Sequence, residues 1–288
     1  MNVEELYANY KGLLFRLAYQ LTGSAADAED VVQDVFLKAH DIPPERMSEP
    51  KAYLCKMVTN RCRDLHKSAR KKREQYFGEW LPAPILTTHD ESFEKVARDE
   101  LMSYAMLVLL ERLSPSERAV FVLREALGFE YAELALLLDK SEVNCRKLVS
   151  RAKGKMGLRD SEAVRPEAAD EVWIMRLLGA LEQGQVDIVV SILSEDAVLI
   201  SDGGGKAFAA VRPIVSGNFV ARFLLGITGK RPLAQSVVRV EMKELNGQSG
   251  LILHEVDGTV TAVLLHVEEG LIQNVYLLRN PDKLSHLL

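Results

Sequence analysis

Two stretches of this chain concentrate positive charge. Between Lys51 and Arg73, nine basic side chains stand against a single acid, Asp64. Between Lys140 and Arg159, seven stand against Glu142. The 288-residue chain as a whole carries a formal net charge of −5, so both are local departures from an acidic background. Cations packed this densely repel one another. A polyanion relieves that repulsion and gains affinity from the counterions it releases. One basic run is commonly a solvated face. Two runs, each on a helical pattern, point to nucleic acid.

A third group is acidic. Asp27, Asp30 and Asp34 recur at i, i+3 and i+7. Like charges four apart destabilise a helix by about 0.2–0.5 kcal/mol. The positive end of a helix compensates Asp27 and Asp30 better than Asp34. The alternative is a docking face for a basic partner.

These residues need helices to place them. Leu6, Tyr10, Leu13, Leu17 and Leu21 follow the rhythm of one apolar helical face, broken at Thr22-Gly23. Ser24 then begins a second helix, with Val31, Val32, Val35, Phe36 and Ala39 on its inner side. A third is expected from about Lys51 past Leu65. The segment Trp80-Leu81-Pro82-Ala83-Pro84 cannot be helix interior, because its prolines remove donors and fix φ. Residues 76–99 read as an inter-domain linker.

Ser114-Pro115-Ser116-Glu117 combines a serine cap, proline at the first helical position and glutamate at the third. After Gly128, a short helix from Glu130 to Leu138, the turn Asp139-Lys140 and a helix from Ser141 to Met156 have the lengths of a helix-turn-helix. Cys145, Leu148, Ala152 and Met156 form the expected inner stripe. Asn144, Arg146, Lys147, Ser150 and Arg151 project elsewhere and suit base edges and phosphates. A plain three-helix bundle is the non-functional alternative.

Beyond a polar link at 161–170 the periodicity changes. A helix from about Asp170 to Gln183 precedes expected strands at Ala197–Ser201, Val237–Leu245, Ser249–Val256, Thr259–Val267 and Leu271–Leu278. Asn246-Gly247 and Asp257-Gly258 are hairpin turns, and Glu268-Glu269-Gly270 another short turn. This order indicates an α+β domain. From Glu162 to Asp202, nine acids face Arg165 and Arg176 alone, an anionic surface able to restrain the basic ones.

Composition excludes wholesale disorder, collagen-like repeats and a disulfide scaffold: 48% of residues are hydrophobic and only three are cysteine, Cys55, Cys62 and Cys145. They form no CxxC pair and have no histidine at zinc spacing, so no metal site is expected and reduced thiols in a cytoplasmic protein are. The first residues lack the pattern of a secretory signal, and no apolar run suffices to span a membrane.

In combination these motifs resemble bacterial extracytoplasmic-function sigma factors. Asp27-Ala28-Glu29-Asp30-Val31-Val32-Gln33-Asp34-Val35-Phe36 is similar to the region 2 helix that grips the polymerase β′ clamp. The resemblance implies that Asp27, Asp30, Gln33 and Asp34 bind core RNA polymerase. Lys51–Arg73 resembles the adjoining segment that melts and reads the −10 element, implying Lys56, Asn60, Arg61, Arg63 and Lys67. Ser114–Met156 resembles region 4, whose second helix reads the −35 element and which meets the β flap. There it implies Asn144, Arg146, Lys147, Ser150 and Arg151.

Three further motifs resemble those of the subgroup with a fused SnoaL-like domain of cone-shaped NTF2-like fold. They involve Trp80 and Pro82; Asp202-Gly203-Gly204-Gly205-Lys206; and Asn280-Pro281-Asp282-Lys283-Leu284. The family usually has an acid where Ala83 stands. In this subgroup the extra domain contacts and modulates the sigma core, so no separate anti-sigma factor is required. The implied architecture is multidomain: two all-α sigma domains, the region 2 bundle over 1–75 and the region 4 helix-turn-helix over 100–160, plus an α+β NTF2-like domain over 169–288.

NTF2-like folds often enclose an apolar pocket, which leaves room for a small-molecule ligand. Catalysis there would need a poised acid or histidine, for which Asp202, His254 and His266 are the candidates. The glycines after Asp202 could form a phosphate nest, but the loop lacks the full GxxxxGK[ST] pattern. Close backbone approach to the sigma core, fixed by Asp202 and Lys206, is the preferred role. The expectation is a sigma factor, with no catalytic residues and no cofactor. Two rivals are a ligand-sensing DNA-binding regulator and an NTF2-like enzyme with a DNA-binding appendage.

Overall fold

The computed structural model describes residues 3–43, 47–74, 76–87, 103–158, 171–230 and 233–287; the side chains at 3, 67–74, 230 and 233–234 lie outside that description. By contacts the chain divides into two units.

The first unit is helical. Helix α1 (Val3–Thr22) buries Leu6, Leu14, Leu17 and Leu21. Leu14, rather than Leu13, takes the inner place. From Arg16 to Leu21 every side chain is buried, so the last turns are covered all round. Helix α2 (Ala25–His40) starts where the Ser24 hydroxyl accepts the Asp27 amide, and it buries the five expected residues together with Ala28. Helix α3 (Pro50–Glu74) begins with proline at its first position, and among its described side chains Cys62 is the last that is fully buried. Cys55, Cys62 and Cys145 are all free and buried, and burial pushes the Cys55 and Cys62 thiols up to about 12.

Helix α4 (Tyr104–Leu110) leads to α5 (Pro115–Glu125), α6 (Tyr131–Leu138) and α7 (Glu142–Met156). The expected capping box of α5 is complete. A second box closes α6, where Glu130 is the cap and Glu133 answers it. Asp139 ends α6 in the left-handed region, φ 52°, and Ser141 caps α7. On α7, Val149 rather than Leu148 completes the buried stripe with Cys145, Ala152 and Met156. Its positions follow i, i+4, i+7 and i+11, a closer fit to 3.6 residues per turn. Buried Arg118 ties α5 to α1: its Nε donates to the Gln20 carbonyl at 2.7 Å, and its Nη1 pairs with Glu111.

The second unit contains helices α8 (Glu171–Glu182), α9 (Val186–Ile192), α10 (Gly217–Lys230) and α11 (Leu233–Ser236). Strands β1 (Leu193–Asp202), β2 (Ile214–Val215), β3 (Val237–Leu245), β4 (Gln248–Glu255), β5 (Val260–Glu268) and β6 (Leu271–Leu278) form one sheet in the order β2-β1-β6-β5-β4-β3. Among the described strands only β1 and β6 pair in parallel. A last short helix, α12 (Pro281–Leu284), starts from an Asn280 cap. Asn246-Gly247 and Glu269-Gly270 turn with φ positive at both residues, as two-residue hairpins require. The core lies between α8, α9, α10 and the sheet, around Ile174, Leu177, Val220, Leu265 and Val275.

Residues 76–87 and 103–105 also belong to this second unit. Leu81, Pro82, Ala83 and Pro84 are buried. Leu86 bridges to Leu245, and the Thr87 amide donates to the Glu244 carbonyl at 2.9 Å. The proline-rich stretch is therefore an extended ribbon laid along this unit. Among the described residues no helix is long and apolar enough to cross a membrane.

Candidate functional site

Three constellations carry the expected chemistry. On α2, Asp27, Asp30 and Gln33 are exposed. Asp34 is half-buried because α3 packs beside it: Arg61 directs Nε and Nη2 at Asp34 Oδ2, at 2.8 and 2.7 Å. The structure thus joins a residue from the acidic group to one from the basic group. Further along α3, Arg63 donates to Asn60 Oδ1 at 3.0 Å. Lys56 donates to Asp139 Oδ1 at 2.8 Å and to the Leu136 carbonyl at 3.1 Å, at the end of α6. The Lys67 side chain lies outside the described residues.

On α7, Asn144, Arg146, Lys147, Ser150 and Arg151 are all exposed, opposite the buried stripe. They form a continuous polar face with three permanent positive charges, a surface that suits a phosphate backbone and base edges. Tyr131 was not singled out by sequence, and no periodicity distinguishes it. Its ring lies 4.8 Å from the Arg124 guanidinium and 4.2 Å from that of Arg146, so it orients Arg146 by cation–π contact.

The third constellation centres on Asp202, which is completely buried. Its carboxylate accepts from the Leu81 amide (2.9 Å), the Tyr76 hydroxyl (2.6 Å), the Gly204 amide (3.0 Å) and Lys283 Nζ (2.7 Å). Lys283 also donates to the Leu81 carbonyl at 2.6 Å and lies 3.9 Å from the Trp80 ring centroid. Burial and the neighbouring carboxylate push the Tyr76 hydroxyl above its ordinary pKa. Asn280 donates to Tyr76 at 2.7 Å, and His286 lies 2.7 Å from the Pro84 carbonyl. Pro82 accepts from the Tyr104 hydroxyl at 2.7 Å. The three sequence motifs meet here, with Tyr76, Tyr104 and His286 as participants that sequence reading missed.

Within the second unit, Asp202 holds the 76–81 segment, and Lys206 binds exposed Asp282 at 2.6 Å beside Pro281. A Cβ on Gly203 would strike the Ala207 carbonyl, and one on Gly204 would strike the Asn280 amide. Gly205, at φ 72°, sits against Phe77. The Gly204 amide is taken by Asp202, and the Lys206 and Ala207 amides by the Gly203 carbonyl, so the loop is closed on itself.

A cavity opens between α8, α10 and the sheet. Asp202, His254 and His266 do not line it. His254 pairs with Glu241 at 2.8 Å, and His266 faces Asn274 at 3.0 Å.

A basic-faced helix-turn-helix and a helical bundle with an acidic outer helix are the parts of a nucleic-acid-binding protein, here carrying a fused α+β domain. Residues 6–72 match the family model for Sigma-70 region 2, and residues 103–156 that for Sigma-70, region 4. The chain belongs to the extracytoplasmic-function (ECF) RNA polymerase sigma factors, and so to the factors that bind core polymerase and promoter DNA. It is 34% identical to the ECF RNA polymerase sigma factor SigJ of Mycobacterium tuberculosis over 297 residues, covering 99% of this chain and 94% of that protein. The crystal structure of M. tuberculosis SigJ superposes with a TM-score of 0.79 at 30% identity, covering 97% of each chain. The probable ECF sigma factor SigI of M. tuberculosis is 25% identical over 296 residues, covering 99% and 96%. The likeness to SigJ spans the C-terminal domain, which is of the NTF2-like α+β kind.

Proposed function

We propose that α2 docks on the β′ clamp of core polymerase through Asp27, Asp30, Gln33 and Asp34. The α3 residues Lys56, Asn60, Arg61, Arg63 and Lys67 engage the −10 element. Asn144, Arg146, Lys147, Ser150 and Arg151 engage the −35 element, with the region 4 domain at the β flap. The working division is 1–75, 76–99, 100–160 and 169–288, acting in the cytoplasm without a membrane partner.

The C-terminal domain modulates the factor in cis by gripping residues 76–86, so no separate anti-sigma factor is required. The observation that carries this reading is buried Asp202, whose carboxylate holds the Leu81 amide and Tyr76 hydroxyl. A buried carboxylate satisfied by linker groups makes release of the linker costly, as a switch demands.

Run-off transcription with purified core enzyme, on a promoter library, tests the reading. Wild type should direct specific initiation, Asp34→Arg should lose it, and Asp202→Ala should change its level. Failure of the full chain and of Asp202→Ala to initiate anywhere would defeat the assignment. Identical output from wild type and Asp202→Ala would remove the role in cis.

A further inference from the structure

The second unit encloses a cavity of about 620 Å³. Protein cores pack without voids of this size, whereas small-molecule sites fall between roughly 300 and 1,000 Å³. Its walls are aliphatic and aromatic: Leu177 and Leu181 from α8, Phe223 and Ile227 from α10, Leu253 and Leu265 from the sheet. An apolar enclosure of this volume gains most from a ligand that replaces water with carbon contacts.

The polar end of the cavity decides the charge of that ligand. Arg279, Glu255 and Thr261 all line it. Arg279 Nη2 donates to both Glu255 oxygens at 2.7 Å, and its Nε donates to the Thr261 hydroxyl at 3.0 Å. That hydroxyl donates to Glu255 Oε1 at 2.7 Å, while Arg279 Nη1 donates to the Phe208 carbonyl at 2.9 Å. The ion pair is bidentate, and its two side chains are only 18% and 23% exposed. A ligand carboxylate or ammonium that engages this pair must displace one member and strand the other, a heavy penalty for side chains this buried, and Asp257, which also lines the cavity, sets a further negative charge against an anion. A neutral molecule leaves the pair intact and finds a donor in the lining Ser201 hydroxyl.

We propose that this cavity binds an uncharged, predominantly apolar small molecule with one hydrogen-bonding group. The assignment goes beyond the chain's role as a sigma factor and stands separately from it.

The test uses the full chain and two dyes of one skeleton. N-phenyl-1-naphthylamine is neutral, and 8-anilino-1-naphthalenesulfonate adds a sulfonate. The expected result is saturable binding of the neutral dye at about one per chain, with the sulfonate at least about tenfold weaker. Ile227→Trp and Leu253→Trp narrow the cavity from partly exposed positions and are each expected to weaken the neutral dye by about tenfold or more, with cooperative melting retained. If one variant fails to fold, the other decides. Non-saturable uptake, equal affinity for both dyes, or unchanged binding in every folded variant would overturn the proposal.

Discussion

Lys56 Nζ lies 2.8 Å from Asp139 Oδ1, across 83 residues of sequence and from one basic helix to the turn of the helix-turn-helix. The carbonyl end of α6 adds a second acceptor at Leu136, where the helix dipole favours a cation. While the pair holds, two of the three ammonium protons are taken and the neighbouring carboxylate offsets its charge toward a phosphate. Lys56 also holds the Asp139 carboxyl below its ordinary pKa.

Asp139→Asn is therefore expected to leave the melting temperature nearly unchanged, because the pair is exposed. It should raise affinity for promoter DNA by about two- to fivefold at low salt, with the gain fading as salt rises. Fluorescence anisotropy of a labelled promoter duplex across a salt series reads both effects.

Asp34 and Arg61 make the second cross-site pair. Arg61→Gln should weaken DNA binding while leaving polymerase capture intact, since it frees rather than removes the carboxylate. Asp34→Arg sets two guanidinium groups against each other and is expected to abolish capture of core polymerase in a pull-down. Undiminished capture by Asp34→Arg would argue that α2 is not the docking helix.

Glu117 supplies a pH dependence. Burial raises its carboxyl, but hydrogen bonds from Lys155 and from the Ser114 hydroxyl and amide more than offset this and hold it at about 2. A depressed carboxylate stabilises the fold fully above its unfolded value of about 4.5 and loses that contribution as pH falls toward 2. Acid unfolding followed by circular dichroism should show this loss in wild type and much less of it in Glu117→Gln. At neutral pH that variant should be less stable by about 1 kcal/mol, the usual cost of a spoiled cap.

Asp202→Ala leaves Lys283 buried without its carboxylate, which costs about 3–5 kcal/mol. Amide exchange at Leu81 should accelerate by at least about a hundredfold if the loss falls on the 76–86 ribbon, by the same conversion. Gly204→Ala, with φ 59° and Asn280 in the way of a Cβ, should weaken the same protection. Protection unchanged in both variants would show that the ribbon is held by burial alone.

Removing residues 169–288 takes away the domain against which Leu81 and Tyr104 are buried. The truncated chain should bind apolar dye and aggregate unless residues 76–87 are removed or made polar, which light scattering would detect.

Much of the architecture was legible because its signals are local. Ser114 to Glu117 wrote its own capping box, and Asn246-Gly247 its own turn. The inner faces of α1 and α7 were misplaced by single residues where one apolar neighbour adjoins another, as Leu13 adjoins Leu14. Helix α10 went unseen because Gly217, Gly226 and Gly229 dilute its propensity, although Val220, Ala221 and Leu224 keep a helical spacing. Strand β1 starts four residues earlier than its apolar run, since Glu195 and Asp196 point outward and the register shifts before Val198. Exposure of the α7 residues could be read from period alone. The partners of Lys56, Arg61 and Asp202 could not, because tertiary packing brings them from 27 to 126 residues away.

The ribbon at 76–87 belongs by its contacts to a domain whose remaining described residues begin more than eighty positions later, with Tyr104 in between. That discontinuity governs how the domain can be exchanged. A chimera built by grafting only the C-terminal half from a relative would pair a foreign socket with a native strap. Recombination that preserves regulation must carry both pieces together, so the two are expected to be inherited as one module.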